Sequence, residues 1–303
     1  MGLIDGVDHA VVTVRDLDAA ARAYARLGFT LTPRGRHTKL GTHNHTIMLP
    51  DRLTYFELLN ANTSEFVTGK VADAARLVAS PGTEIVPVTG AFGARVIATR
   101  TEMAIAEHAA VQLMATHGAD CDAVVIAVSW DTAVRAGREL LGVPVVGITE
   151  AALVTGAQLG GRFGFVSFDA RSRALYEELV AGYGYARAGS AWRVVASRAA
   201  FAPGDTAALE DEIVAAVEAM VAEDRIEVAI LTGAVMAGVA RRLQPRARVP
   251  LLDGVTCGIL QAEALARLGV GRARAGSYAP PGPREVVGLD PALAARFGGG
   301  PAS

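Results

Sequence analysis

The stretch TYFELLNANTSE, residues 54–65, decides how the chain divides into domains, because its strand fits two different modules. Together with the residues before it, TYFELL ends a β-rich segment that starts near residue 7. Together with the residues after it, FELLN is a first strand and ANTS is a polar turn that opens a helix. A strand has one place in space, so its sheet partners decide which of the two modules is complete.

Composition places the chain among globular proteins and excludes several functions. The chain has 303 residues, enough for two domains, and 51% of them are hydrophobic. A net charge of −2 without a Lys/Arg stripe argues against a nucleic-acid or membrane partner. Only two lysines, Lys39 and Lys70, argue against a Schiff-base enzyme, which needs a lysine nucleophile. The absence of a signal-peptide core and of a long apolar run predicts a cytoplasmic protein.

Two rhythms of secondary structure succeed one another along the chain. Residues 7–59 read as β-α-β-β-β, from the strand VDHAVVTV through the helix DLDAAARAYARLG to TYFELL. From about residue 57, short apolar strands such as AVVIAV, FGFVSF and VAILTG alternate with helices. Uniformly apolar strands are typical of parallel sheets that are covered on both faces. The sequence therefore predicts an α/β region that comes after a small α+β module.

An internal repeat predicts two similar halves within the α/β region. The strand pair AVVIAV and PVVGIT resembles the later strand pair VAILTG and PLLDG. In each pair, the second strand starts at a Val-Pro dipeptide, which begins at Val143 in the first pair and at Val249 in the second. We expect two pseudo-symmetric Rossmann-like domains with a ligand cleft at the carboxyl ends of their strands. The predicted limits are 1–56 for the N-terminal module, 57–160 plus 272–303 for domain A, and 161–271 for domain B.

The region 57–303 resembles a known enzyme family in several stretches. They include LLNANTSEFVT, GARVIATRTEMAIAEHAA, AVVIAVSWDTAVRAGREL, RFGFVSFDARSRALY and VAILTGAVMAG. These are similar to the aspartate/glutamate/hydantoin racemase family. The resemblance implies a cofactor-independent isomerase that moves a proton at a carbon beside a carbonyl or carboxylate group. It also implies a small substrate, hydantoin-like, with a carboxylate or imide group, and acid/base groups on opposite walls of the cleft.

The sequence departs from this family where the family has its catalytic cysteines. Those two positions align with Val128 and Gly233, and neither residue can carry a proton. Ser129 and Asp131 come after the first position, and Thr232 precedes the second, so these three are candidates for the chemistry. The simplest alternative for Asp131 is an N-cap of the helix TAVRAGREL.

The two cysteines of the chain lie elsewhere, at Cys121 and Cys257. Cys257 begins a helix after LLDG, where the helix dipole would lower its pKa and favour an accessible catalytic thiolate. The alternative is a small buried hydrophobic residue, which is also what we expect of Cys121. The two are too few and too far apart for a disulfide framework.

Polar turns at strand ends supply the candidates for substrate binding. Their backbone amides would hold a carboxylate or imide oxygen, although helix capping alone would also explain them. The candidates are Asn60, Asn62, Thr63, Ser64, Ser167, Gly233 and Ala234. Arg100 and Arg171 would pair with a substrate carboxylate or, alternatively, lie on solvated helix faces.

Residues 5–59 resemble one module of the glyoxalase-like (vicinal oxygen chelate) superfamily, in VDHAVVTVRDLDAAARAYARLGF, LGTHNHTIML and TYFELL. That resemblance implies metal ligands at His9 and Glu57. The superfamily builds a site from two such modules, so these residues form a half-site that a second chain would have to complete. We expect no bound metal, and we expect strand 54–59 to pair with 83–88 rather than with 8–14.

Three functions remain open from the sequence. The first is the racemase or isomerase, the second a racemase-fold small-molecule binder without racemase activity, and the third a metal-dependent glyoxalase-like activity in a dimer. A homo-oligomer is compatible with each of them.

Overall fold

The computed structural model describes residues 14–26, 30–31, 35–37, 42–44, 47–48, 54–118, 121–196, 199–201 and 203–298. The chain divides into two compact units, Met1–Leu53 and Thr54–Ser303. Among the described residues, no helix is both long and apolar enough to cross a membrane.

The first unit contains one helix and short antiparallel strand pairs in its described parts. Helix α1 (Leu17–Arg26) starts after Asp16, whose carboxylate accepts a hydrogen bond from Ala19 N at 2.9 Å. Strand β1 (Thr30–Leu31) pairs with β4 (Ile47–Met48), and β2 (Gly35–His37) pairs with β3 (Thr42–Asn44). His9 lies outside the described residues, as does most of the predicted strand 8–14.

The second unit contains two four-stranded parallel sheets with the same strand order. The first sheet runs β6-β5-β7-β8 and the second runs β10-β9-β11-β12. The strands of the first are β5 (Thr54–Asn60), β6 (Thr83–Thr89), β7 (Ala123–Ile126) and β8 (Val145–Gly147). Those of the second are β9 (Phe163–Ser167), β10 (Gly189–Val194), β11 (Val228–Leu231) and β12 (Leu251–Asp253). The α/β fold with two similar sheets, predicted from the repeat, is confirmed.

Strand β5 belongs to the first sheet. Thr54 through Asn60 pair in parallel with Thr83 through Thr89 on one side, and Phe56 through Leu59 pair with β7 on the other. The expectation for this strand is therefore confirmed. Glu57 lies in the sheet between Val86 and Val124, where burial raises the pKa of its carboxyl group.

Helices cover both sheets and alternate with the strands along the chain. They are α2 (Glu65–Arg76), α3 (Arg100–His117), α4 (Val134–Leu140), α5 (Ile148–Ala157), α6 (Ala170–Gly182), α7 (Ala207–Glu223), α8 (Val239–Leu243), α9 (Gly254–Leu268) and α10 (Pro291–Ala295). Because helices pack on both faces, β7 and β11 are buried along their whole length.

Helices α5 and α9 connect the two sheets to each other. Helix α5 comes directly after β8 of the first sheet and packs on β11 and β12 of the second, whereas α9 comes after β12 and packs on β7 and β8. The two helices meet at Gly254, where a Cβ atom would lie 2.5 Å from the carbonyl oxygen of Ile148. Only glycine allows this close approach. Glu263 of α9 also accepts hydrogen bonds from Ser80 N and Thr83 Oγ1, both at 2.7 Å.

Candidate functional site

A cavity of about 270 Å³ lies where the carboxyl ends of the two sheets face each other. The first sheet contributes the segments after β5, β6 and β7, and the second contributes those after β9 and β11. Helices α2 and α6 and the segment after β10 complete the wall. The lining residues are Asn62, Val67, Arg95, Val96, Ile97, Ala98, Val128, Ser129, Trp130, Phe168, Asp169, Ser172, Tyr176, Phe201, Thr232, Gly233, Ala234 and Val235.

The structure brings together some of the residues that the sequence predicts, and leaves others outside the cavity. Ser129, Thr232, Asn62, Gly233 and Ala234 line it, as does Val128. The predicted residues outside its lining are Asn60, Thr63, Ser64, Asp131, Ser167 and Cys257, together with Arg100 and Arg171.

In the turn after β5, Asn62 lines the cavity, and hydrogen bonds from neighbouring residues hold it in place. Asn62 Oδ1 accepts hydrogen bonds from Ser64 N at 2.9 Å and from Asn60 Nδ2 at 3.0 Å. Asn60 Nδ2 also donates to Thr68 Oγ1 at 2.9 Å, and Ser64 caps helix α2. With its oxygen occupied, Asn62 keeps an amide nitrogen that donates to no other described residue. Asn60 and Ser64 therefore build the turn, and Asn62 is the side chain able to meet a ligand.

The β7 turn, residues 128–133, is held by Asp131. Its carboxylate accepts hydrogen bonds from Thr149 N at 2.9 Å and Glu150 N at 2.8 Å, at the start of α5. Tyr183, which ends helix α6, donates its hydroxyl to the same carboxylate at 2.9 Å. The prediction that Asp131 caps the helix TAVRAGREL is wrong, because that helix starts after Ala133 without a side-chain cap.

Burial dominates the electrostatics of Asp131. It raises the pKa of the carboxyl group to about 7, against the opposing effect of the two backbone N–H donors and the Tyr183 hydroxyl. A Cβ atom at Gly147 would collide with this carboxylate, so glycine is required beside it. Thr149 Oγ1 donates to the carbonyl oxygen of Ser129 at 2.7 Å, which fixes the turn from the other side. Asp131 therefore supports the cavity wall and does not line it.

The β11 turn, residues 232–237, is built differently. Thr232 donates its hydroxyl to the carbonyl oxygen of Val166 at 2.9 Å. Gly233 has φ of 100° and ψ of 128°, a conformation that residues with a Cβ atom rarely adopt. A 3₁₀ helix, Ala234–Met236, comes next. Both Val128 and Gly233 line the cavity from opposite sheets, in agreement with the register of the sequence repeat.

Neither cysteine of the chain lines the cavity. Cys257 is 5% exposed within α9, and burial raises the pKa of its thiol to about 12. The predicted low-pKa thiolate is wrong, because desolvation outweighs the helix dipole at this position. Burial likewise raises the pKa of the Cys121 thiol to about 11, as expected of a structural cysteine.

The cavity contains polar groups that sequence reasoning missed. Asp169 is the one carboxylate among the described lining residues, and it caps α6 by accepting from Arg171 N at 3.1 Å. Its place directly after the strand FGFVSF is a signal that could have found it. Arg95 is the one cation among the same residues and is exposed. Arg100, by contrast, forms a surface ion pair with Glu178.

Tyr176 is the second missed residue, and no sequence pattern marks it. Its ring stacks on Trp130 with centroids 4.2 Å apart, which joins a helix of the second sheet to the β7 turn of the first. Burial raises the pKa of its phenol to about 12, and the side chains of Ser129 and Thr232 offset part of that rise. Tyr176 lines the cavity together with these residues from both walls.

Comparison with known proteins identifies the family of the chain. A model of the Asp/Glu/Hydantoin racemase family matches residues 57–262. The chain belongs to this family. It is 34% identical over 238 residues to a hydantoin racemase of Paenarthrobacter aurescens, covering 76% of this chain and 98% of that relative. The family places the chain among isomerases of the racemase type, which act on small molecules.

Solved structures of the family agree with the fold. An allantoin racemase from Pseudomonas fluorescens has a TM-score of 0.73 at 34% identity, covering 77% of this chain and 100% of that one. An allantoin racemase from Klebsiella pneumoniae has a TM-score of 0.74 at 29% identity, covering 79% and 98%. The family match starts at Glu57, so the glyoxalase-like resemblance of residues 5–59 stays a prediction.

The part of the chain that the structure describes contains no group of three or more His, Cys, Asp or Glu side chains able to hold a metal ion. Of the predicted half-site, Glu57 lies in β5, where its Oε1 accepts a hydrogen bond from the Tyr55 hydroxyl at 3.1 Å.

Proposed function

We propose that the protein racemises a hydantoin-like compound by proton transfer at the α-carbon, without a thiol. The observation that carries this proposal is the cavity between the strand ends of both sheets, in a chain 34% identical to a hydantoin racemase. A cavity of about 270 Å³ suits a small cyclic amide or imide better than a macromolecule. We also propose that residues 57–160 with 272–303 form domain A and that residues 161–271 form domain B.

Asp169 is the group proposed to take the α-proton. A carboxylate is a competent general base when it lies within hydrogen-bond reach of the proton it removes. Asp169 stands on the wall formed by the second sheet, and its helix cap holds the carboxylate at the cavity. On the opposite wall, Ser129 comes directly after Val128, and its hydroxyl would pass a proton from water to the other face while Asp169 returns its own proton to water.

Substrate recognition is proposed for the amide of Asn62 and for the backbone of the β11 turn. The amide nitrogen of Asn62 would donate to a carbonyl oxygen of the substrate. Gly233 and Ala234 line the cavity without bulky side chains, which leaves their backbone accessible to a ligand. Thr232 completes this wall. Asp131 and Cys257 are left out of the chemistry, because one supports a turn and the other is buried in α9.

Exchange of the α-proton is the direct test. In deuterated water, proton NMR would follow a panel of enantiopure 5-substituted hydantoins, allantoin and free amino acids, with polarimetry in parallel. We expect at least one hydantoin-like compound to exchange its α-proton and to lose optical rotation. Asp169→Asn, which retains the helix cap, should lower kcat/KM by about 100-fold or more.

Asp290→Asn is the matched control. Asp290 also caps a helix, accepting from Ala292 N at 2.9 Å, but does not line the cavity. Its variant should exchange at the rate of the wild type. Tight binding of panel members without any exchange would instead support the binder that has lost racemisation. Stoichiometric metal in the purified protein would favour the glyoxalase-like alternative.

A further inference from the structure

We propose that Tyr176 is a catalytic residue, whose hydroxyl donates a hydrogen bond to the enolate oxygen that forms when the α-proton leaves. This inference rests on the proposed racemisation and assigns a group that neither the resemblance in the sequence nor the internal repeat points to. Removal of the α-proton moves negative charge to the neighbouring carbonyl oxygen. A fixed donor at that oxygen stabilises the transition state more than the substrate.

The position of Tyr176 matches this role. It lines the cavity, and its exposed fraction is only 4%, so water screens its hydroxyl weakly. Ser129 and Thr232 line the same cavity as Tyr176, and these two residues adjoin Val128 and Gly233. Tyr176 therefore lies in the cavity that both sheets line, together with the two strand-end positions of the sequence repeat.

The ring is held in a fixed orientation, as a preorganised donor requires. Trp130 stacks on it at 4.2 Å between centroids, with an angle of 27° between the ring planes. Trp130 is itself fixed, because its Nε1 donates to the carbonyl oxygen of Ile97 at 2.7 Å. Trp192 packs on the ring as well, with centroids 5.9 Å apart. The phenol thus has little freedom to follow a ligand and would meet the enolate oxygen without reorganisation.

The phenol has a proton to give. Thr232 gives its own proton to the carbonyl oxygen of Val166, so that proton is already used within the protein. As charge develops on the substrate oxygen, the Tyr176 hydroxyl would donate to it. The phenol stays protonated at neutral pH because burial raises its pKa, so it is able to donate.

Tyr176→Phe is the test, since it keeps the stacked ring and removes the hydroxyl. Loss of one donor of this kind lowers kcat by about 10²- to 10³-fold, so we expect that fall in α-proton exchange with KM changed less than about threefold. Tyr185→Phe is the control. Tyr185 packs its ring near Phe163 at 6.0 Å, away from the cavity lining, and should leave exchange unchanged.

A second measurement guards against misfolding of Tyr176→Phe. The midpoint of its urea denaturation should match that of the wild type, so that a fall in exchange reports the loss of the hydroxyl and not of the fold. Exchange by Tyr176→Phe within threefold of wild type would overturn this inference and leave the proposed racemisation standing. If the wild-type protein exchanges no panel compound, the proposed function fails first and the role of Tyr176 fails with it.

Discussion

The β7 turn and the β11 turn occupy equivalent places in two sheets of the same topology, yet different interactions hold them. The β7 turn has two non-glycine residues with positive φ, Asp131 at 48° and Ala133 at 59°. Hydrogen bonds from Thr149, Glu150 and Tyr183 to the Asp131 carboxylate stabilise that conformation. The β11 turn needs no such network, because Gly233 adopts φ of 100° without a steric cost.

The difference shows that equivalent positions in two sheets of the same topology do not tolerate amino-acid substitution equally well. Positive φ in a residue with a side chain costs about 1–3 kcal/mol and persists only where surrounding contacts impose it. At the β7 turn, the side-chain network carries that cost, and the residues with positive φ are Asp131 and Ala133 and not Val128. At the β11 turn, the backbone of Gly233 excludes side chains directly. Restoring a thiol should therefore succeed on one wall and fail on the other.

Breaking the network of the β7 turn should have the largest effect on stability. In Asp131→Asn, one amide oxygen can still accept, but the NH₂ group faces a backbone N–H of Thr149 or Glu150. An unsatisfied buried donor costs about 1–3 kcal/mol, and loss of one of the three hydrogen bonds to the carboxylate adds to it, so we expect a loss of about 3 kcal/mol. Urea denaturation monitored by circular dichroism measures it. A loss below about 1 kcal/mol would contradict the support role of Asp131.

The same variant should change how stability depends on pH. The pKa of Asp131 rises from 3.8 in the unfolded chain to about 7 in the fold, so between these values the folded state binds more protons. Its contribution to stability is therefore complete below 3.8 and is lost as the pH rises through 7. Asp131→Asn should lack this decline. Burial also raises the pKa of Glu57 and Asp253, so the informative quantity is the difference between wild type and variant.

Substitution at the β11 turn should have an intermediate effect. Gly233→Ala forces a Cβ atom into a conformation of φ 100° and ψ 128°, for a cost of about 1–3 kcal/mol in the free energy of unfolding. Gly182→Ala is the control, because Gly182 lies in α6 with open space around its Cβ position. That control should be neutral or stabilising by up to about 1 kcal/mol. Equal stabilities of the two variants would remove the contrast between the turns.

A thiol placed in the β7 turn should have the smallest effect on stability. Val128→Cys removes little volume, and we expect a loss of about 1 kcal/mol or less. The new thiol would line the cavity and react with iodoacetamide, whereas Cys121 and Cys257 are buried with raised pKa values. Val125→Cys, in the buried strand β7 that precedes this turn, is the unreactive control. A hydantoin bound in the cavity should slow alkylation of the Val128→Cys thiol. If this alkylation is equally fast with the hydantoin present, the ligand binds elsewhere.

Local pattern predicted much of this architecture. Apolar strands alternating with helices predicted the sheets, and the repeat around Val143 and Val249 put Val128 and Gly233 at equivalent strand ends. Contacts between side chains that are far apart in the sequence could not be predicted from such local patterns. Tyr183, the residue directly after α6, lies 52 residues from its partner Asp131, and only packing of the two sheets brings them together. For Cys257, burial depends on the contacts of α9 with the opposite sheet, so the local helix-dipole argument predicted the wrong direction.

Helices α5 and α9 each pack on the sheet of the other half, and this packing has a consequence for how the chain folds. Each sheet receives part of its cover from a helix whose sequence belongs to the other half. A polypeptide cut between residues 160 and 161 would leave the first fragment with β7 and β8 exposed, because α9 is on the second fragment. Neither fragment should therefore form a native core alone, and native structure should return only when both are mixed. We therefore expect the two halves to unfold in a single cooperative transition, although their sheets are separate.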